Sequence, residues 1–298
     1  MPTANLGIGS GLTSTLGTGT GTANLGTGSG LIANLKDAGA VAPTYGAEYQ
    51  AVYDTLTTPP SEAIAAAQNT MVEALVAAGI WAKLDVFYMY AQTTNAAGEA
   101  LKNWKLPGTY DATAYNAPTF TALEGFTGDN FTSYIDCNWN PSVNGVYLTQ
   151  NSASIGLYSR ITALENDVDA GVSDGSEHLF LYTRLSDTNF RAIINAVGNV
   201  QKPPSGWTGM FIATRSASNS QQVWYNGGYL GADSDASIGV PNANMFVLAY
   251  NNNGTRSGAS SKQFSMFFAG SLLSSGEILN LTNYFETYMD SNGKGVIP

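Results

Sequence analysis

A single cysteine, Cys137, rules out an internal disulfide, and a single histidine, His178, leaves no Cys/His spacing that resembles a structural zinc site. Charge is scarce as well. Only 11% of the 298 residues are Asp, Glu, Lys or Arg, against about a quarter in ordinary soluble domains. The formal net charge of -10 opposes binding to phosphate backbones or anionic lipid, because both need clustered Lys and Arg to release counterions. No run of about eighteen apolar residues occurs, and no basic segment precedes an apolar stretch near Met1, so neither a membrane span nor an export signal is expected. Folding in a reducing cytosol fits the missing disulfides.

Present in quantity are Gly, Thr, Ser, Asn and aromatic residues, with 44% hydrophobic content, enough for a sizeable core. Residues 1–35 carry no charged side chain and contain a repeat: the block at 3–12 returns at 22–31 with one change, Ile8 against Thr27. Such a segment has too few large apolar residues to bury a core of its own, and glycine makes its backbone entropically expensive to order. It reads as an attachment segment over 1–45, with Leu6, Leu12, Leu25 and Leu31 as the docking side chains. A flexible linker is the plainer alternative.

A connecting segment over 46–95 contains a predicted helix at 61–78, opened by Ser61 and stopped by Gly79, with Ile64, Met71, Leu75 and Val76 as its apolar stripe. Its alanine-rich face is suited to close packing, including between chains of a homodimer or homotrimer. A buried strand is expected within 80–91 and helical character at 93–103. From there the pattern is short β-branched or aromatic runs between turns, at 133–138, 153–160, 178–185, 190–197, 209–214, 221–225, 245–249 and 263–269. Asn226 and Gly227 mark a tight hairpin. Ser274 and Glu277 form a capping box for a final helix whose Ile278, Leu281, Phe285 and Tyr288 share one face. The expected fold is mainly β: a jelly-roll sandwich of two antiparallel sheets over 96–298, with an extended N-terminal segment, one helix before it and one C-terminal helix.

The order of motifs resembles the concanavalin A-like lectin/glucanase superfamily in its laminin-G-like form, as found in bacteriophage head and tail fibre proteins. The resemblance rests on Trp-Lys-Leu-Pro-Gly at 104–108, Asn-Ala-Pro-Thr-Phe at 116–120, Gly-Phe-Thr-Gly at 125–128 with Ser-Tyr-Ile-Asp at 133–136, Trp-Tyr-Asn-Gly at 224–227, Asn-Asn-Asn-Gly at 251–254, and Leu-Ser-Ser-Gly-Glu-Ile at 273–278. It covers about residues 80–298. The resemblance implies a domain that often binds glycans, sometimes binds calcium and occasionally hydrolyses polysaccharide. Its setting would be a virion assembled in the bacterial host cytoplasm, with other virion proteins as partners.

Hydrolytic members carry a Glu-x-Asp-x-x-Glu strand that sets three carboxylates on one face. No such string occurs here, and Glu124, Glu165, Glu177, Glu277 and Glu286 are scattered, so no catalytic residue is assigned. His178 beside an apolar strand reads as a packing residue, and Cys137 as a small buried hydrophobe. Sugar binding needs a flat aromatic ring with amide or carboxylate partners, which points to Asn138, Trp139 and Asn140, to Trp207 in a Pro/Gly turn, and to Tyr250 with Asn251. No cofactor is required. Asp167, Asp169 and Asp174, near Asn166 and Glu177, fit a solvated acidic loop first and a calcium site second. Three functions are therefore open: a head or tail fibre displaying a lectin-like domain, a purely structural capsid decoration or neck protein, and a polysaccharide depolymerase.

Overall fold

The computed structural model describes residues 44–161 and 163–298. The attachment segment and its leucines Leu6, Leu12, Leu25 and Leu31 lie outside these residues.

The chain enters through α1 (Ala47–Tyr53) and α2 (Glu62–Ala77). Ser61 stands at the N-cap of α2, but its side chain makes no capping bond. Gly79, at φ 72°, ends the helix in a Schellman turn in which the Ile80 amide donates to Leu75 O at 3.0 Å and the Gly79 amide to Val76 O at 2.9 Å. A 3-10 turn (Trp81–Lys83) then leads into β1 (Leu84–Met89), all of whose residues are buried. This strand lies within the segment expected as a connection, yet it pairs with the penultimate element and belongs to the sandwich.

Two sheets follow. The back sheet runs, in spatial order, β13 (Gly228–Asp233), β12 (Ser220–Tyr225), β11 (Gly209–Ala217), β6 (Ala153–Ser159), β17 (Gln263–Gly270), β4 (Gly125–Thr127) and β3 (Thr119–Thr121), with β1 also on β17. The front sheet runs β10 (Val200–Lys202), β9 (Phe190–Ala196), β8 (His178–Tyr182), β7 (Ala170–Ser173), β14 (Phe246–Val247), β5 (Tyr134–Asp136) and β2 (Thr113–Tyr115). Two short strands, β15 (Tyr250–Asn252) and β16 (Thr255–Ser257), form a hairpin that joins it. The pairing is antiparallel except between β15 and β7. Each of the eight expected strand segments contains a strand, so this is the mainly β, two-sheet sandwich of the jelly-roll kind. The Asn226-Gly227 turn joins β12 to β13 with both residues at positive φ, 48° and 80°.

Alternation along each strand sends one set of side chains between the sheets and the other outward. Ile155, Leu157, Phe211, Ala213, Val223 and Phe267 of the back sheet meet Ile135, Val172, Leu179, Leu181, Phe190 and Ile194 of the front sheet in the main core. Outward-facing Phe87, Met89, Tyr158, Met210, Ile212, Met266 and Phe268 of the back sheet form a second core with the helices. α1, α2 and α4 (Ser275–Ser291) all contribute to it. The capping box of α4 is present, and Ile278, Leu281, Phe285 and Tyr288 are buried. On α2 the buried face is Ala65, Gln68, Met71, Val72 and Leu75, whereas Val76 is exposed and Ile64 only half-buried. The face is rotated towards Gln68 because a polar contact sits at its centre. Tyr49 Oη donates to Gln68 Oε1 (2.6 Å), and Gln68 Nε2 reaches Gln92 Oε1 (3.2 Å) and Tyr288 Oη (3.1 Å).

The helix expected at 93–103 is replaced by an irregular stretch with one 3-10 turn (Glu99–Leu101). Gly98 stands at φ 85°, and the buried Glu99 carboxylate accepts the Thr58 and Ala97 amides at 3.1 and 2.9 Å. The Thr58 donor lies outside the segment, and the Ala97 donor is only two residues from Glu99, so the carboxylate serves the irregular turn.

Candidate functional site

Among the described residues the helices close the outer face of the back sheet, and none of them contributes to the outer face of the front sheet. Register and one diagonal step carry a row of outward residues across that face: Tyr115 opposite Tyr134, Phe246 diagonal to Tyr134 and opposite Asp136 and Gly171, Gly171 opposite Phe180, and Phe180 opposite Ile193. Tyr115 and Tyr134 stack at 4.8 Å with planes 7° apart, and Tyr134 meets Phe246 at 4.7 Å. Gly171 is the gap that lets the row continue, since a Cβ there would stand 2.4 Å from Phe180 Cδ1.

Around Phe180, the ring of Tyr250 approaches edge-on at 5.0 Å, Tyr182 at 6.1 Å, and His178 stacks at 5.1 Å. The phenylalanines are buried fillers. The accessible members are the hydroxyl- and imidazole-bearing rings Tyr115, Tyr134, Tyr182, Tyr250 and His178. Such a surface offers apolar faces and edges with hydrogen-bonding tips, the combination that sugar C–H groups and hydroxyls require. Burial raises the Tyr182 phenol to about 12, and burial with the neighbouring Tyr115 and Asp136 raises that of Tyr134, so both stay protonated donors at neutral pH. Burial lowers the His178 imidazole, whose Nδ1 lies 2.8 Å from Ser173 Oγ. Arg191 places its guanidinium 5.8 Å from the Tyr182 ring centroid while bonding Gln201 at 2.9 Å.

The residues assigned from sequence fall in different places. Tyr250 belongs to this face. Trp139 does not. It is fully buried in the inter-sheet core, so its ring faces other side chains and no ligand. Asn138 spends its amide on Asp111 O (2.7 Å) and Thr113 Oγ1 (2.9 Å). Asn140 caps α3 (Pro141–Asn144) and donates to Asn242 Oδ1 at 2.9 Å. Asn251 is buried, bonded to Asn244 O (2.9 Å) and to the Gly254 amide (2.7 Å). These three amides hold loops together. Trp207 is half-buried under the Arg184 guanidinium, 4.7 Å from the ring centroid, on a loop of its own. The signal that could have located the face is the run His-Leu-Phe-Leu-Tyr at 178–182, which is apolar on both alternations and aromatic on the outer one.

The calcium expectation is not met by the arrangement of Asp167, Asp169 and Asp174. Among the described residues no three or more His, Cys, Asp or Glu side chains converge to hold a metal ion. Asp169 and Asp174 flank opposite ends of β7, about 16 Å apart at strand rise. Asp169 is buried, accepting Thr183 Oγ1 (2.7 Å), Ser260 Oγ (2.8 Å) and the Lys262 ammonium.

Asp174 accepts the Asn242, Glu177 and Ser176 amides at 3.0, 3.1 and 3.2 Å. Burial works against its ionised form, but these donors outweigh it and hold the carboxyl down at about 2. A depressed carboxyl stabilises the fold above its unfolded value near 3.9 and loses that contribution as pH falls towards 2. Asp174→Asn is therefore expected to flatten the fall in urea midpoint between pH 4 and pH 2. An unchanged slope would show that the loop does not couple to folding.

Neither a protein-family model nor a curated protein matches the sequence. Solved structures do resemble the fold. An HCR/D point mutant superposes with a TM-score of 0.50 at 14% identity, covering 69% of this chain and 53% of its own. The botulinum neurotoxin serotype D binding domain gives 0.48 at 12% identity, covering 69% and 52%. The Ruminococcus gnavus IT-sialidase CBM40 bound to alpha2,3 sialyllactose gives 0.37 at 10% identity, covering 44% and 83%. The chain thus spans about half the length of the first two, and at such identities the likeness speaks to architecture alone.

Proposed function

We propose that this chain is a non-enzymatic glycan-binding protein, and that the open outer face of the front sheet is its binding surface. The observation that carries the reading is the aromatic face: among the described residues one side of the sandwich is closed by helices, and the other presents four tyrosines and a histidine on its outer surface. The resemblance to phage fibre proteins and the charge-free repeat at 3–31 support the finer reading of a head or tail fibre protein. In that reading the N-terminal segment joins other virion proteins and the chains form a homodimer or homotrimer.

Four of the five glutamates singled out in the sequence support the non-catalytic reading, because each has a structural task. Glu277 closes the α4 capping box and pairs with Lys83 at 2.7 Å. Glu165 binds Ser260 and Ser261, Glu124 pairs with Lys294, and Glu286 accepts from Tyr158 and from the Ile297 amide. A purely structural decoration protein is the second reading, favoured by the commitment of Asn138, Asn140 and Asn251 to the scaffold.

Single sugar contacts are weak, about 1 kcal/mol for each net hydrogen bond, so binding should depend on many copies. A glycan array probed with the chain coupled to beads should score hits that Tyr115→Ala/Tyr182→Ala loses. The double variant should melt within a few degrees of the parent, since both rings are partly exposed. No hits with the multivalent parent would leave the decoration reading in place. Release of reducing ends from a capsular polysaccharide would establish hydrolysis instead.

A further inference from the structure

Phe131 is the most exposed of the large hydrophobic side chains described, at 75%. It stands in the loop that leads into β5, three residues before Tyr134. That loop is tightly held. The Asp129 carboxylate accepts the amides of Phe131, Thr132 and Ser133 at 2.9, 2.8 and 2.9 Å, and the hydroxyls of Thr132 and Ser133 at 3.0 and 2.9 Å. Asn116, in the turn after β2, donates to Thr132 O at 2.9 Å and ties the loop to the Tyr115 end of the row. A fixed backbone thus presents a phenyl ring to solvent one residue from Thr132, which Asn116 ties to the chain next to Tyr115, itself 42% exposed. An exposed ring on a preorganised loop loses little entropy when a ligand lands on it.

From Phe180 to Tyr115 the row crosses β8, β7, β14, β5 and β2, about 19 Å at the usual strand spacing. Resting on the glycan reading of this face, we infer that the ligand is a chain of several neutral sugar units laid across the strands, with Phe131 forming an outer subsite at the Tyr115 end of the row. Neutral sugar is favoured because the accessible rings of the face carry phenol hydroxyls, the Arg191 guanidinium is already engaged by Gln201 and Asp187, and a carboxylate, Asp129, lies within the Phe131 loop. The same carboxylate and the net charge of -10 disfavour insertion of Phe131 into an anionic membrane.

The test uses the full chain coupled to beads and two graded probes: maltose to maltoheptaose, and size fractions from partial acid hydrolysis of capsular polysaccharide. Affinity is expected to rise with length and then level off. Phe131→Ala should match the parent on short members and fall behind on long ones by roughly three- to tenfold. Asp129→Ala, which frees the loop but keeps the ring, should lose part of the same gain. Length-independent binding, or equal loss on short and long members, would overturn the outer subsite while leaving the glycan reading intact. Failure of both series to bind the parent overturns the two together. Phe131-dependent sedimentation with phosphatidylcholine/phosphatidylglycerol vesicles would replace the sugar by a lipid surface.

Discussion

Replacing Lys262 by methionine is expected to destabilise the protein by about 3–5 kcal/mol, measured as a lower urea midpoint at neutral pH. Lys262 and Asp169 are both fully buried, with Nζ 3.0 and 3.1 Å from the two carboxylate oxygens. Lys262 also donates to Arg184 O at 3.1 Å, and Glu165 stands 3.6 Å away. The lysine precedes β17 of the back sheet and the aspartate precedes β7 of the front sheet, so the pair joins the two layers at one end of the sandwich. Removing the ammonium leaves one fully buried carboxylate and one nearly buried carboxylate without their cation, and the desolvation penalty is then uncompensated. Adding Asp169→Leu to Lys262→Met should recover part of the loss, because a packed apolar pair carries no such penalty. A single-variant loss below about 1 kcal/mol would mean that water reaches the pair and screens it.

Trp139→Ala is expected to cost about 3–5 kcal/mol, the range for deleting a large aromatic from a packed core. The indole shares the inter-sheet cluster with Ile135, Cys137, Leu148 and Met245. The flanking backbone has little freedom to collapse into the cavity, since Met245 N donates to Trp139 O at 2.9 Å and the Cys137 amide donates to Met245 O at 2.9 Å. Trp207→Ala, by contrast, removes a half-buried ring and one cation–π contact, worth about 0.5–1 kcal/mol. Thermal melts of the two variants should separate clearly. Equal and small shifts would return Trp139 to the surface.

Trp139 also shows how the sequence could be misread. Flanking asparagines and Pro141 suggest an exposed turn, yet Ile135, Cys137 and Trp139 stand two residues apart and all three are fully buried. The inward alternation runs past the end of the strand at Asp136, and the backbone bonds of Cys137 and Trp139 to Met245 continue with it. The displaced stripe of α2 has a different cause. Gln68 lies on the buried face because Tyr49, Gln92 and Tyr288 supply its partners, and no pattern within the helix reveals them.

Several element ends were legible from residues a few positions apart, because caps and tight turns are satisfied locally, although Ser61 makes no capping bond and no α-helix forms over 93–103. Ser274 with Glu277, Asn226 with Gly227, and Gly79 after α2 all act as their chemistry predicts. The strand alternation was legible for the same reason, being a property of the extended backbone itself. Which face of the sandwich the helices cover, and hence which aromatics reach solvent, was settled only in the folded molecule. So was the pairing of Lys262 with Asp169, which lie 93 residues apart in sequence. Burial and ion pairing depend on contacts between distant segments, and a linear pattern holds no record of which segments meet.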